Sequence, residues 1–543
     1  MLSRFAWALT LVVSLVFVPL AVAHDEHDHG PMTGTFGNVK FATSCDKSVQ
    51  ADFQRAVAIL HSFWYDGAEE AFTAVTKKDP ECAMAYWGIA TSYHHPLWAV
   101  PNKADFEKGK EALAKARNAK HQTPQERGWI DAIAAVYEAP EGSSLVERNK
   151  AWAAGMEKVY NADPKNSEAE TFYLLAKLST ASPKDKTYAI QKEVGPRLEK
   201  LFEKQPTHPG LAHYVIHTYD SPALASMGLD AARRYAKIAP DAAHALHMPS
   251  HIFTRLGLWQ DSIQSNTDSA RVGRANYARS KNPAPLSEQL HAMDYLTYAY
   301  LQRGEVASAK KLLDELNGMK GEEFKIFSAS YAASSIPSRV AIETHRWSEA
   351  RDIPEPSFAG ESYWTEVANS IVYWARSLGA SRTGQMDRAR ADLAKIEGLR
   401  DKLLQSKKQD GADTIEVMRL SAAGWIASAD GKKDEAVRLL REAADLEDRT
   451  DKHPVTPGAV SPAREQLAEL LAETGKPADA LTEYETSLKT APNRFNGLSG
   501  AARAAKASGN NEKAKQYYAK LLEIAPNADA QLLQDTKEYM AAK

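Results

Sequence analysis

Apolar residues recur three and four positions apart along most of the chain, as in PAREQLAELLAETGKPADALTEYETSLKTAP, which ends at Pro492. That spacing places them on one stripe of an α-helix. Period-two alternation is nearly absent, and Ala, Leu, Glu, Lys and Arg, all good helix formers, dominate. The pattern predicts an all-α protein made of short amphipathic helices separated by glycine and proline.

The helices come in a repeating unit. A second segment, LSGAARAAKASGNNEKAKQYYAKLLEIAP, ends at Pro526, 34 residues after Pro492. Each unit has a helix, a turn glycine (Gly475, Gly509), an alanine opening the next helix (Ala480, Ala514), a tyrosine four on (Tyr484, Tyr518) and a terminal proline. The same frame recurs at Ala68, Phe72 and Pro80, at Gly257-Leu258-Trp259, and at Gly304 with Ala309. These features resemble the tetratricopeptide repeat. The likeness covers most of residues 48–537, is weak at 101–165 and 318–370, and is interrupted at 181–186, 280–287 and 448–462.

The resemblance implies a helical-repeat solenoid with a concave groove, because a lone helix pair cannot bury its apolar face and must stack on its neighbours. It also implies the family's usual role, a scaffold whose groove takes a peptide or protein partner. The expected layout is a repeat array over 45–447, a Pro-rich loop over 448–462 and a C-terminal pair of repeats over 463–543.

The N-terminus changes the expected compartment. Arg4, an apolar run over 5–20 and Ala21-Val22-Ala23 form a secretory signal pattern over 1–23. Export is expected, to a bacterial periplasm or the medium. No later stretch is long and apolar enough to suggest a membrane span. Residues 24–44 are expected to be a disordered tail rich in histidine and acid, opening HDEHDHG; such a tract gathers metal loosely or is merely solvated. A net charge of −3 with 25% charged residues gives no basic footprint for nucleic acid. The two cysteines, Cys45 and Cys82, are best read in an oxidising compartment as one disulfide.

The candidate chemistry lies in histidines. HYVIH at 213–217 and HMPSH at 247–251 repeat a pair at the 34-residue interval. In the repeat register Ala212, Val215, Ile216 and Tyr219 pack, leaving His213, His217 and Asp220 on the opposite face. His244, His247 and His251 fall on that face of the next repeat, and His291, Asp294 and Tyr298 on that of the one after. The resemblance places this face along the groove. His213, His217, His247 and His251, with His244, are therefore expected metal ligands, and Asp220, His291 and Asp294 further ligands or supports. Imidazoles suit zinc, copper, nickel or iron. Ligand or peptide binding, and plain structural histidines, remain the alternatives. Pro249 also threatens the second pair, since a helix beginning there would spoil its geometry. A second groove cluster is expected from Trp87, His94 and His95, with His61 in the matching place of the preceding repeat.

Other chemistry lacks a motif. There is no CxxCH, HExxH, phosphate-binding P-loop, GxSxG or dinucleotide-binding glycine pattern. Nothing marks a nucleophile and its base. Enzyme activity stays open only through a histidine-held metal with a free coordination position.

Overall fold

The turn glycines end their helices for a backbone reason. Gly257, Gly304, Gly384, Gly431, Gly475 and Gly509 have φ between 65° and 80°, the left-handed conformation that glycine adopts without a Cβ penalty. At Gly304 the amide donates to the Leu301 carbonyl and the following Glu305 amide to Tyr300. These bonds close one helix and release the chain into the next, Val306–Asn317. Phe63 and His345 take the same turn conformation, with φ of 54° and 55°, without being glycine.

The structure is a computed structural model that describes residues 34–543 apart from 99, 281–282, 320–323, 325, 357, 359, 361, 451 and 543; the side chains of 279–280 and 283–285 are also outside it. It is an all-α, tetratricopeptide-like solenoid of antiparallel helix hairpins running from Gln50–His61 to Gln534–Ala541. Among the described residues the one β pairing is an isolated bridge between Cys82 and His121. The stretches with a degenerate signature are helical too: Lys103–Asn118, Pro124–Tyr137 and Leu145–Ala162 carry one, Phe327–Glu343 the other. Two of them start with reciprocal caps, Thr123 with Glu126 and Ser144 with Glu147. No described helix is long and apolar enough to cross a membrane. The expected signal segment, 1–23, and residues 24–33 lie outside the described residues.

Three parts of the expected layout are corrected. Residues 34–44 are not a disordered tail. Phe36, Val39 and Phe41 are buried, Phe41 against Phe53, Trp87 and Trp129. The Asn38 amide donates to the Thr207 carbonyl and that of Ser44 to Glu126. Three buried apolar side chains, hydrogen bonds to Thr207 and Glu126, and the disulfide that follows together hold the segment in place. Cys45 closes this stretch in a disulfide with Cys82, at the head of the helix Ala83–Ser92.

Nor is 448–462 a domain boundary. Arg464 joins Asp445 and Asp448 of the preceding helix to Glu483 of the following one, so the stack runs straight through. The C-terminal repeats then return to the middle of the chain. Trp259 Nε1 donates to the Asn493 carbonyl at 2.6 Å, and Asp529 N to that of Gly304. A Cβ at Gly257 would lie 2.5 Å from the Pro492 carbonyl oxygen, and one at Gly304 would lie 2.6 Å from Ala528. These two glycines thus serve a turn and a close contact at once. Arg494, fully buried, clamps the closure by bonding Glu343, Glu465 and the Tyr298 hydroxyl.

Finally, the groove is not open at its centre. The chain's own residues 452–459 lie along it. Tyr295 OH meets the Thr456 carbonyl, Arg339 the carbonyls of Gly458 and Ala459, and His453 packs on Phe327 and Trp364.

Candidate metal centre

Six histidines converge between the helices Pro209–Tyr219, Ala243–His247, Pro249–Arg255 and Pro283–Gln302. They form two adjacent triads, His213 with His217 and His244, and His247 with His251 and His291; within each, one ligand atom per residue lies within 4.8 Å of the others. Sequence spacing grouped 213, 217, 247 and 251 as one four-ligand set. The structure divides them instead: across helices the His213 ring comes 5.1 Å from that of His244, and the His247 ring 4.2 Å from that of His291.

Pro249 does not break the arrangement. It opens the helix Pro249–Arg255, and Met248 before it is helical, with φ −52° and ψ −36°. The Met248 amide still bonds the His244 carbonyl, and the His251 amide the Met248 carbonyl. The chain stays helical, so His247 and His251 remain on one face.

Second partners fix which ring nitrogen carries the proton. His213 Nδ1 donates to the His61 carbonyl at 2.7 Å, which leaves the lone pair on Nε2. The Nε2 atoms of His213, His217 and His244 are buried and none has a hydrogen-bond partner. His244 Nδ1 sits 3.5 Å from Glu288. In the other triad His247 Nδ1 donates to Asn266 Oδ1 at 2.6 Å. The Asn266 amide is oriented by its own donation to the Ser262 carbonyl. His251 Nδ1 donates to Asp220 Oδ2 at 2.8 Å. A ring nitrogen tied to a carboxylate or carbonyl, with the other left free, is the arrangement that orients metal-binding imidazoles.

The electrostatics favour neutral rings. Burial holds His213, His217, His247 and His291 well below the usual histidine range, aided by neighbouring imidazoles. Burial also lowers His251, against the pull of Asp220. Asp220 stays ionised despite its burial because Lys452, Arg255 and His251 surround it. Neutral imidazole is the form that ligates metal.

The remaining expected residues fall elsewhere. Asp294 is consumed by Arg339 and Ser335 and supports the strap, not the histidines; Asp220 acts through His251. Trp87 does not line the groove: it is 2% exposed, in an aromatic core with Phe72, Trp129 and Phe172. Tyr298 is likewise interior, held by Arg494 and Trp259. His94 is buried against Trp152, its basicity lowered by burial to about 3. His95 stacks near Tyr65 and Trp98, the latter reaching His217 and His244.

His61 belongs to a third cluster that sequence spacing did not reveal. Its Nε2 meets Glu168, whose other oxygen meets His208 Nε2, while Tyr214 OH meets His61 Nδ1. The Leu211 amide donates to His208 Nδ1, so every ring nitrogen here has a partner. Burial pushes Glu168 up, but His208 and His61 more than offset this and hold it at about 2. This cluster is a support: it sets the carbonyl that orients His213. Gly210 makes room for it, since a Cβ there would lie 2.4 Å from His61 Nδ1. Phe63, in its left-handed turn, lays its ring 4.3 Å from that of His213. Strain of this kind gathers at functional sites.

No family model matches the chain, and no curated protein matches it. Among solved structures it is similar to yeast Tom70, with 14% identity over 92% of this chain and 96% of that one and a TM-score of 0.31. It is also similar to a tetratricopeptide repeat protein of Parabacteroides merdae, with 13% identity over 55% of this chain and 98% of that one and a TM-score of 0.29. At those TM-scores the superpositions are too loose to bear on function, and the repeat architecture stands on the chain's own hairpins.

Proposed function

We propose that this chain binds a transition-metal ion through His213, His217 and His244. One observation carries the reading: one ring nitrogen from each of these three histidines lies within 4.8 Å of the others, and the Nε2 atoms of all three are buried without a hydrogen-bond partner. Leaving one buried polar atom unpaired costs about 1–3 kcal/mol, and three in one cluster are explained together by a shared cation. Three imidazoles leave a tetrahedral ion one open position, suited to zinc, copper, nickel or iron. The disulfide and the N-terminal signal pattern support a place outside the cytoplasm. Elemental analysis of the purified chain, with His24, His27 and His29 changed to Ser to silence the tail, is expected to find tightly held metal. His213→Ala with His217→Ala should remove it while helicity persists. No metal after incubation with zinc, copper, nickel and iron(II) overturns the reading.

A second reading, capture of a peptide segment, is favoured by a cleft of about 830 Å³ between the later repeats. It is lined by Trp347, Trp425, Tyr484, Arg382, Glu469 and Arg503, an amphoteric aromatic surface of the kind that anchors peptides. Panning a random peptide library against the chain tests it, with Trp425→Ala expected to abolish enrichment; enrichment that survives the change rejects the cleft.

A further inference from the structure

We propose that the second triad, His247, His251 and His291, holds an ion of its own, and that the two ions form a pair bridged by a small oxygen-donor anion. This rests on the metal reading above but does not follow from it, since the first triad could be loaded alone.

The partners of His247 and His251 fix where their protons sit. His247 Nδ1 must donate to Asn266 Oδ1, because the Asn266 nitrogen is already donating to the Ser262 carbonyl. His251 Nδ1 must donate to the Asp220 carboxylate, which has no proton to offer. With Nδ1 of both rings donating, the two Nε2 atoms face each other 3.0 Å apart, and the Tyr295 hydroxyl stands 3.4 Å from that of His251. Two acceptors do not attract at that distance. A cation that takes both lone pairs turns the repulsion into coordination, and His291, whose ring centroid lies 4.2 Å from that of His247, completes the set.

The two triads are also contiguous. The triads touch through His244 and His247, with ring centroids 6.1 Å apart, and through His217 and His251, at 6.3 Å. These gaps are no wider than the widest inside each triad, 6.5 Å for His217 with His244 and 6.3 Å for His251 with His291. The six rings thus make one compartment. Bridged pairs of ions in proteins sit about 3.5–4 Å apart, a separation that rings so spaced can serve from both sides.

Charge names the ligand. Six imidazoles bring no anion to two cations. The nearby carboxylates are Asp220 and Glu288, and Asp220 is already shared among Arg255, Lys452 and His251. Buried charge needs a counter-charge close by. The open position that each three-imidazole set leaves is where one anion of one or two atoms, hydroxide or peroxide, meets both ions.

The test uses the full chain with the three tail histidines changed to Ser, loaded with copper(II). Two coppers per chain are expected, their paramagnetic resonance largely silent because a bridge couples the spins. Azide, as the probe anion, should add an intense charge-transfer band. His291→Ala should halve the copper content, restore a full resonance from the remaining ion and abolish that band. His217→Ala should do the same from the other side. One fully visible copper per chain in the unaltered site, or two coppers both fully visible, overturns the paired centre and leaves single-ion binding intact. No copper in any form, nor any other metal, overturns both.

Discussion

His247 and His251, four residues apart across Pro249, hold their Nε2 atoms 3.0 Å from each other while Asn266 and Asp220 each secure the opposite ring nitrogen. The pair is therefore set from behind, by one polar residue within the helix Trp259–Ser280 and one just past the end of Pro209–Tyr219, and changes behind the rings should be felt in front of them.

Asn266→Ala removes the acceptor of His247 Nδ1 without touching a proposed ligand. Loss of such an outer partner weakens metal binding by roughly 10–100-fold. Competition with a chromophoric chelator should show that drop, beyond the roughly 1–3 kcal/mol of stability that the unpaired His247 Nδ1 costs the metal-free chain. Unchanged affinity would mean that Asn266 does not set the tautomer.

Gly210→Ala tests the support beneath His213. The added methyl meets His61 Nδ1 at 2.4 Å and His208 nearby, in a helix where alanine would otherwise be favoured. Overpacking of this kind costs about 1–3 kcal/mol. Urea unfolding should report that loss, and metal affinity should fall with it because the His61 carbonyl moves.

Arg494 is a sharper test of the closure between the late and middle repeats. It is fully buried against Glu343 and Glu465. Removing one partner of such a group leaves charge stranded and costs about 3–5 kcal/mol. Arg494→Ala should lower the unfolding midpoint far more than Arg438→Ala, whose ion pair with Glu442 is exposed and worth well under 1 kcal/mol.

Acid should weaken the protein through histidines outside the proposed centre. His94 is held neutral by burial, down to about 3, whereas an unfolded histidine titrates near 6.5. Below that value the unfolded chain takes up a proton that the folded one refuses, so stability falls as pH falls. The slope is about 1.4 kcal/mol per pH unit for one such residue. His94→Leu should therefore raise the melting temperature more at pH 5 than at pH 7.5, by the equivalent of about 2 kcal/mol. An equal effect at both values would show that His94 is not the group responsible.

Reduction of Cys45–Cys82, two cysteines 37 positions apart, should lower stability by about 4 kcal/mol on the chain-entropy account. Melting with and without reductant checks this, and Cys82→Ala should reproduce the reduced value.

Apolar period and turn glycines were enough to determine helix, hairpin and repeat, because both are local: a stripe repeats every 3.6 residues, and only glycine enters the left-handed turn freely. They also placed His213, His217, His247 and His251 on one face of neighbouring helices. Which rings share a ligand point was not local. It depended on the reach of His244 and His291 across helices, on the Asp220 and Asn266 tethers, and on Gly210 leaving space for His61. The ordered 34–44 segment, the strap at 452–459 and the return of Arg494 to Tyr298 were decided only by tertiary packing, since each depends on residues far apart in sequence, Asn38 with Thr207, Thr456 with Tyr295 and Arg494 with Tyr298, whose own sequence neighbours carry no sign of the partner. Trp87 shows the same limit: the repeat register put it on the groove side, and burial among aromatics from three other helices took it into the core.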